Sequence, residues 1–152
     1  MTVTVRNLEP GDAEAWRTLW RGYCDFYKVS IPDGVTDATW RRLLDPREPF
    51  FGLVAQDGGY RVVGIVNCVL HPVTWSLLQT CYLEDLFVAP AARGQGAGRA
   101  LIEAVRVRGR AEGWYRVYWM TKVDNATARA LYDKVAGKSD WVRYHIPLDA
   151  PA

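Results

Sequence analysis

Three glycines alternate with other residues in a turn that the sequence places between a strand and a helix. Gly94, Gly96 and Gly98 follow the strand-like segment 80–87 and precede the helix-like segment 100–105. Glycine is favoured where the backbone takes a positive φ or where a ligand approaches it closely, and we expect all three glycines to meet both demands. Such a turn presents bare N–H groups at a helix N-terminus, which carries about half a positive charge. The chemistry that this favours is the binding of a phosphate or diphosphate group.

Two common nucleotide-binding loops do not match this turn. A P-loop closes with Lys-Ser or Lys-Thr, whereas Arg99 and Ala100 follow Gly98. A dinucleotide-binding loop needs a small residue in place of Arg99 and an acidic residue roughly 20 positions later, at the end of the next strand. The next strand-like segment, 115–120, contains no acid. A turn that binds no ligand remains the alternative, although three glycines there cost backbone entropy.

The order of residues in the loop resembles that of another family of proteins. Arg93 to Gly98 reads Arg-Gly-Gln-Gly-Ala-Gly and follows a strand that ends Asp-Leu-Phe-Val-Ala-Pro. This resembles the diphosphate-binding loop of the GNAT superfamily of acyl-CoA-dependent N-acyltransferases. The last third of the chain resembles the branch that contains histone and polyamine acetyltransferases, through Tyr118-Trp119-x-Thr121, Asn125, Ala128, Leu131, Tyr132, Lys134, Val135 and Tyr144. The resemblance is specific from about Leu78 to Ile146 and only architectural before that.

The resemblance implies that acetyl-CoA is the co-substrate. Backbone amides of the loop would hold its diphosphate, and the end of the preceding strand would bind the pantetheine arm as an added strand would. The N–H of Val88 is a candidate for polarising the thioester carbonyl. Asn125 and Ala128 are expected beside the cofactor, and a plain helix cap is the alternative for Asn125. The predicted cofactor-binding residues are Leu86, Phe87, Val88, Arg93, Gly94, Gln95, Gly96, Ala97, Gly98, Arg99, Asn125 and Ala128.

Glu84 is the candidate for receiving and deprotonating an amine. Strict alternation along the strand places Glu84 on the face of Val88, and it places Leu83, Asp85 and Phe87 together on the other face. A carboxylate in this position would attract an ammonium group and act as a base, directly or through one water. The Leu-Glu-Asp run also resembles related polyamine acetyltransferases, in which the Glu meets the substrate amine. A solvated acid on a strand is the alternative.

Tyr132 is the candidate for returning a proton to the leaving thiolate. It occupies the position of the general acid in the family that the sequence resembles. Its alternative is a core aromatic, because Ala128, Leu131 and Val135 lie on the same predicted apolar stripe of a helix. Both predicted proton-transfer groups, with the N–H of Val88, make up the expected catalytic set.

Aromatic residues are expected to line the pocket for the acceptor. Aromatic faces beside a carboxylate suit an ammonium group. The candidates are Tyr23, Phe26, Tyr27, Trp40 and Trp75. For each of them, packing in the core is an equally good explanation. With Glu84, they predict acetyl transfer to a primary amine by direct attack in a ternary complex. The acceptor would be a polyamine, an amino-acid-like small amine or a protein lysine. A CoA-binding regulator without turnover and a transferase of longer acyl chains remain open.

The pattern of the whole chain predicts how these residues are positioned. It indicates a single domain, residues 1–152, with the element order β-α-α-β-β-β-α-β-α-β, which matches the GNAT fold: a mixed, mostly antiparallel sheet flanked by about four helices. Asp12 is predicted to cap the first helix, and Thr36 or Asp37 the second. The predicted strands are 3–8, 50–56, 60–70, 78–88, 115–121 and 141–148, with a loop at 72–76, a third helix at 96–112 and a fourth that Asn125 or Asp124 caps.

Composition excludes several classes of protein. The net charge of +2 gives little reason to expect a nucleic-acid partner, and no apolar run is long enough to span a membrane, so a cytoplasmic location is expected. Three scattered cysteines indicate neither a disulfide framework nor a metal site. His71 and His145 are interpreted as structural or surface residues. By family analogy, the strand predicted at 141–148 would pair or exchange in a homodimer.

Overall fold

The computed structural model of the chain describes residues 2–148, which divide after Trp119 into two compact units. The first unit contains β1 (Thr4–Asn7), α1 (Ala13–Tyr27), α2 (Asp33–Leu44), β2 (Phe50–Gln56), β3 (Val62–Val73), β4 (Ser76–Val88), α3 (Ala97–Glu112) and β5 (Arg116–Tyr118). The second unit contains α4 (Ala126–Val135).

One five-stranded sheet organises the first unit, in the order β1-β2-β3-β4-β5. The first four strands are antiparallel to their neighbours, and β5 runs parallel to β4. A parallel neighbour requires a crossover connection, which α3 supplies between β4 and β5. The predicted fold class, a mixed and mostly antiparallel sheet with helices, is therefore confirmed.

Helices cover both faces of this sheet. Trp16 of α1 and Leu43 of α2 belong to a buried cluster that includes Ile65 of β3. A Cβ atom on Gly64 would lie 3.2 Å from the side chain of Leu101, which belongs to α3. Because Gly64 and Ile65 are consecutive in a strand, they point to opposite faces. The helices α1 and α2 therefore pack on one face, and α3 packs on the other.

The first helix forms as its pattern predicts, but its N-terminus is held differently. Trp16, Leu19 and Trp20 are buried along one stripe, with the two tryptophan rings stacked at 5.5 Å between centroids. The side chain of Asp12 does not cap α1. It accepts two hydrogen bonds from the Arg6 guanidinium at 2.8 Å each, which lower the pKa of Asp12. The predicted cap is wrong because an ion pair with β1 uses the carboxylate.

The second helix begins earlier than predicted. It starts at Asp33, and the N–H of Thr36 donates to the carbonyl of Pro32 at 3.1 Å. Proline suits the start of a helix, since its missing N–H would have no partner there. Thr36 and Asp37 therefore lie inside the helix and do not cap it. The Thr36 hydroxyl instead accepts a hydrogen bond from the indole N–H of Trp20 at 3.1 Å.

Several predicted strands differ in the structure. The predicted loop at 72–76 is a tight hairpin, in which Val73 pairs with Ser76. The strand predicted at 115–121 is shortened to β5. Residues 141–148 form no strand, although four apolar side chains alternate there and are exposed: Val142, Tyr144, Ile146 and Leu148. Alternation makes a strand only where another strand accepts its backbone hydrogen bonds, and within residues 2–148 no strand pairs with this segment.

Candidate active site

The glycine loop, residues 93–99, joins the end of β4 to α3. Gly94 and Gly96 have φ of 76° and 90°, which residues with a side chain rarely adopt. Apart from its neighbours in the chain, a Cβ atom built on either would meet no atom of residues 2–148 within 4 Å, so space is open above both. Gly98 lies in the first turn of α3 and has no positive φ. The expectation that every glycine of the loop needs a positive φ is therefore wrong for Gly98.

Arg93 ties the loop to the end of β4. Its Nε donates to the carbonyl of Val88 at 3.1 Å. Its guanidinium lies 5.4 Å from the ring centroid of Phe87 and 5.9 Å from that of Phe26. Among residues 2–148 no carboxylate forms an ion pair with Arg93, so its charge is available to an anion. The next part of the loop contains Gln95, whose side chain donates to the carbonyl of Ala91 at 3.5 Å. The loop ends with Ala97 and Arg99 in the first turn of α3.

The end of β4 presents backbone amides to the side away from β3. The pairing of β4 with β5 stops at Tyr82 and Tyr118, whereas β4 continues to Val88. The N–H of Ala89 donates to a carbonyl of the β3 side at 2.8 Å. Because hydrogen bonds alternate along an antiparallel ladder, the N–H groups of Leu86 and Val88 point to the opposite edge. The fork, where β5 leaves β4, therefore exposes backbone N–H groups that can hydrogen-bond to an extended ligand with several amide groups.

A β-bulge at Glu84 changes the faces of the strand. Asn67 of β3 pairs with Asp85, but the next residue, Cys68, pairs with Leu83, so that Glu84 is the extra residue. Since Asn67 and Cys68 point to opposite faces, Asp85 and Leu83 do as well. The prediction that Leu83 shares the face of Asp85 is therefore wrong. The bulge leaves the Glu84 side chain exposed at the fork.

Asp85 is buried on the face of α1, with 8% of its surface exposed. It accepts a hydrogen bond from the amide of Asn67 at 3.1 Å, and Asn67 in turn accepts one from the indole of Trp16 at 3.1 Å. The hydroxyl of Tyr23 also hydrogen-bonds to Asp85. Burial raises the pKa of Asp85 to about 6, against the opposing effect of these hydrogen bonds. Burial and the charges of Asp85 and Glu84 raise the pKa of Tyr23.

A second polar group lies where β5 leaves β4. The ring of His71 in β3 places Nε2 at 2.8 Å from the hydroxyl of Tyr118 and Nδ1 at 2.8 Å from the carbonyl of Pro72. The rings of Tyr82 and Tyr118 pack at 4.8 Å. Burial, and more weakly the charge of Glu84, raise the pKa of Tyr118. The charge of Glu84 therefore acts on Tyr118 as well as on Tyr23.

Sequence reasoning missed His71 and Tyr118 as a pair. They are 47 residues apart and belong to strands that are not neighbours. The one available signal was the run Tyr118-Trp119-x-Thr121, which carries part of the resemblance in the last third of the chain.

The five aromatic candidates for the acceptor pocket divide into different environments. Tyr23 stacks on Trp20 at 5.2 Å and touches Tyr27 at 4.8 Å, and Phe26 packs edge-on against Tyr27. Trp40 packs on Trp16 at 5.4 Å as part of the core. Trp75 is 74% exposed at the turn between β3 and β4. The structure therefore brings Tyr23, Phe26 and Tyr27 together and places the other two elsewhere.

The second unit carries the remaining candidates. Asn125 caps α4, because its side chain accepts from the N–H of Ala128 at 3.4 Å and donates to Thr121 at 3.0 Å. Tyr132 is half-buried on the stripe of α4 that the sequence predicts to be apolar. The helix ends at Val135, two residues before Gly137.

Features of two other classes of protein are absent from the part of the chain that the structure describes. Among residues 2–148, no group of three or more His, Cys, Asp or Glu side chains is placed to hold a metal ion. No helix among them has both the length and the apolar character that crossing a membrane requires.

The profile of the family described as the acetyltransferase (GNAT) family matches residues 16–137. The chain belongs to the GNAT family. GNAT acetyltransferases use acetyl-CoA, and this chain is a GNAT N-acetyltransferase.

Similar proteins agree with this assignment. The D-amino-acid N-acetyltransferase HPA3 of Saccharomyces cerevisiae is 38% identical over 143 residues, which cover 93% of this GNAT chain and 89% of the yeast protein. The uncharacterized N-acetyltransferase YhfO of Bacillus subtilis is 28% identical over 152 residues, covering 99% of each chain. The aminoglycoside N-acetyltransferase AAC(6')-Iy, in complex with the bisubstrate analogue CoA-S-monomethyl-acetylneamine, superposes with a TM-score of 0.82 over 97% of this chain and 99% of its own, at 19% identity. At that identity the likeness concerns the fold alone.

Proposed function

We propose that this GNAT acetyltransferase moves the acetyl group of acetyl-CoA to a small primary amine, and that an amino acid is the favoured class of acceptor. The observation that carries this proposal is Glu84, which the bulge exposes at the fork beside the outward amides of Leu86 and Val88. A carboxylate there attracts an ammonium group to the place where a thioester would lie. The similarity to a D-amino-acid N-acetyltransferase supports the amino acid. The resemblance to the histone and polyamine branch keeps a polyamine and a protein lysine as the competing acceptors.

The glycine loop fits the diphosphate of acetyl-CoA. Its open space above Gly94 and Gly96, its helix N-terminus and the uncompensated charge of Arg93 suit an anion. The amides of Leu86 and Val88 suit the pantetheine arm, with the N–H of Val88 directed at the thioester carbonyl. Asn125 and Ala128 are assigned to the same cofactor.

The reaction needs three proton transfers around one bond exchange. The amine nitrogen attacks the thioester carbon after the ammonium loses a first proton, and the C–S bond breaks as the C–N bond forms. Glu84 holds the incoming cation, and the hydroxyl of Tyr132 gives a proton to the thiolate of CoA. The nitrogen loses its second proton as it becomes an amide nitrogen, and that proton restores the hydroxyl of Tyr132. The whole chain, residues 1–152, acts as one catalytic domain.

We also propose that the protein works as a homodimer. The support is the segment 141–148, whose apolar side chains alternate and are 75–92% exposed at Trp141, Val142, Tyr144, Ile146 and Leu148. A second copy would cover this surface. Sedimentation equilibrium at several concentrations measures the mass, and a monomer at all of them would exclude the dimer.

A panel of amines tests the proposed acceptor. Release of CoA thiol is measured with D- and L-amino acids, polyamines and a lysine peptide, for the wild type, Glu84→Gln and the control Glu14→Gln, an exposed acid of α1. Loss of the Glu84 charge should lower kcat/KM for cationic acceptors by about 10- to 100-fold, the equivalent of a charged hydrogen bond of about 1.4–2.7 kcal/mol. Glu14→Gln should behave as the wild type. Equal activity of Glu84→Gln would remove Glu84 from the site, and preference for a polyamine would replace the proposed acceptor class.

A further inference from the structure

We propose that His71, acting through the hydroxyl of Tyr118, accepts the proton that the acceptor ammonium loses, while Glu84 holds the cation. This rests on the proposed function, because it assumes that an amine reaches the fork between β4 and β5. The proposal gives a role to the hydrogen bond between His71 and Tyr118, which joins β3 to β5 across β4.

The hydrogen bonds of His71 fix the direction of the proton transfer. Its Nδ1 lies 2.8 Å from the carbonyl oxygen of Pro72, and a carbonyl can only accept, so Nδ1 carries the hydrogen. In the neutral imidazole Nε2 is then an acceptor. Tyr118, at 2.8 Å from Nε2, must donate its hydroxyl hydrogen to it. The oxygen of Tyr118 keeps its lone pairs for another donor, and an ammonium group is such a donor.

The position of Tyr118 suits contact with the amine. It is the last residue of β5 that pairs with β4, opposite Tyr82, and the bulge residue Glu84 follows Tyr82 by two positions. The ring of Tyr118 packs against that of Tyr82, and its hydroxyl is hydrogen-bonded to His71. Burial, with the charge of Glu84, raises the pKa of Tyr118 against the opposing effect of Arg116. The phenol therefore stays neutral and can pass a proton on without holding a negative charge.

An imidazole is better matched to this step than a carboxylate. The reference pKa values of an alkylammonium and a glutamate carboxyl differ by about six units, whereas those of an alkylammonium and an imidazole differ by about four. A base closer in pKa to the amine takes its proton more readily. Glu84 then contributes attraction, and His71 contributes the acceptor of the proton.

The protons balance in this sequence. One N–H of the ammonium transfers its proton to the oxygen of Tyr118, and the hydroxyl proton of Tyr118 moves to Nε2 of His71. The product is a neutral amine, a neutral phenol and an imidazolium whose Nδ1–H still donates to Pro72. His71 is partly exposed, so it can release the proton to solvent. The proton that the thiolate needs comes from a different group, assigned above to Tyr132.

The test compares acceptors that do and do not need deprotonation. Tyr118→Phe and His71→Gln are assayed with two amines that the wild type acetylates: one whose ammonium form dominates at the assay pH, and a weakly basic one that is already neutral. We expect kcat to fall at least 10-fold with the first amine and less than threefold with the second, at an unchanged KM for acetyl-CoA. The glutamine keeps a hydrogen-bonding group beside Tyr118 and cannot carry the proton, and the exposed His145→Gln is the matched control.

Each result decides between a proton path and a purely structural pair. Equal losses with both amines, or no loss with either, would overturn the role of His71. His71→Ala with added imidazole gives a second readout, because a missing base is restored by a diffusible one and a missing packing contact is not. Restored kcat supports the proposal, and unrestored kcat contradicts it. If the wild type acetylates no amine of the panel, the proposed function itself fails, which the variants alone would not show.

Discussion

Two regions adjoin β4 and differ in how they are built. One is the glycine loop, residues 93–99. The other is the acceptor face, which is formed by Glu84, Asp85, Tyr23, His71 and Tyr118. The loop is contiguous in sequence, and its features are backbone features: two positive φ angles and the amides of a helix N-terminus. The acceptor face takes side chains from α1, β3, β4 and β5. Asp85 accepts a hydrogen bond from Asn67, and Tyr118 is hydrogen-bonded to His71.

This difference separates what the two regions can tolerate. A backbone site depends on the conformation of a few residues, so one side chain in the wrong place disables it. The acceptor face depends on partners spread along the chain, and the burial of Asp85 carries a cost in stability, because a polar group is removed from water. We therefore expect a single substitution in the loop to abolish its function, and single substitutions in the acceptor face to reduce its function only in part.

The largest effect is expected for Gly96→Asp. An aspartate at a φ of 90° is strained, and its carboxylate would face the diphosphate of the cofactor. The affinity for CoA, measured by calorimetry, should fall at least about 1,000-fold, which corresponds to about 4 kcal/mol. Gly96→Ala should show the part of this loss that is due to strain alone.

Gly34→Asp is the matched control for that variant. Gly34 lies in the first turn of α2 and has no positive φ. Apart from its chain neighbours and the backbone of its own helix, a Cβ atom added to it would meet no atom of residues 2–148 within 4 Å. An acid is tolerated at the start of a helix, so affinity for CoA should be unchanged. Wild-type affinity in Gly96→Asp would show that the loop does not hold the diphosphate.

A smaller effect is expected for Tyr132→Phe in the second unit. If its hydroxyl returns the proton to the thiolate, kcat should fall by about 100-fold, as is typical for loss of a general acid. The affinity for CoA should stay within about twofold, since the ring is retained. Tyr144→Phe, which changes a side chain that is 92% exposed, is the control. Unchanged turnover in steady-state kinetics would exclude Tyr132 as the acid.

The sequence was sufficient where local patterns decide the structure. The short apolar run of β2 and the glycines around α3 predicted those elements closely, because an apolar run, helix periodicity and a C-terminal glycine act over a few residues. The predicted cap of α4 by Asn125 is also present. The predicted start of α2 lies too late, because Thr36 and Asp37 are residue types that often cap a helix, whereas α2 begins directly after Pro32.

Features that depend on distant partners were beyond local patterns. The bulge at Glu84 requires the register of β3 against β4, and alternation alone assigned Leu83 to the wrong face. The pairing of His71 with Tyr118 requires the order of three strands. The segment 141–148 has the pattern of a strand, but a strand needs a neighbour that local sequence cannot supply.

The smallest effect, and the one that measures the cost of the acceptor face, is expected for Asp85→Asn. Burial raises the pKa of Asp85 from 3.8 to about 6, so the folded protein holds a proton there that the unfolded chain has lost between those two values. Stability is therefore lost as the pH rises through this window, with a ceiling of about 3 kcal/mol for about two pKa units. An asparagine keeps hydrogen bonds to Asn67 and Tyr23 without a charge, though weaker ones. The free energy of unfolding in urea should rise by about 1–2 kcal/mol at pH 8 and not at pH 4.

The free energy of unfolding should change in the opposite direction in Asp45→Asn. Hydrogen bonds from Arg47 lower the pKa of Asp45 to about 2, and its charge stabilises the fold at neutral pH. A variant at position 85 that is no more stable than the wild type at pH 8 would show that the hydrogen bonds of the carboxylate fully offset its burial.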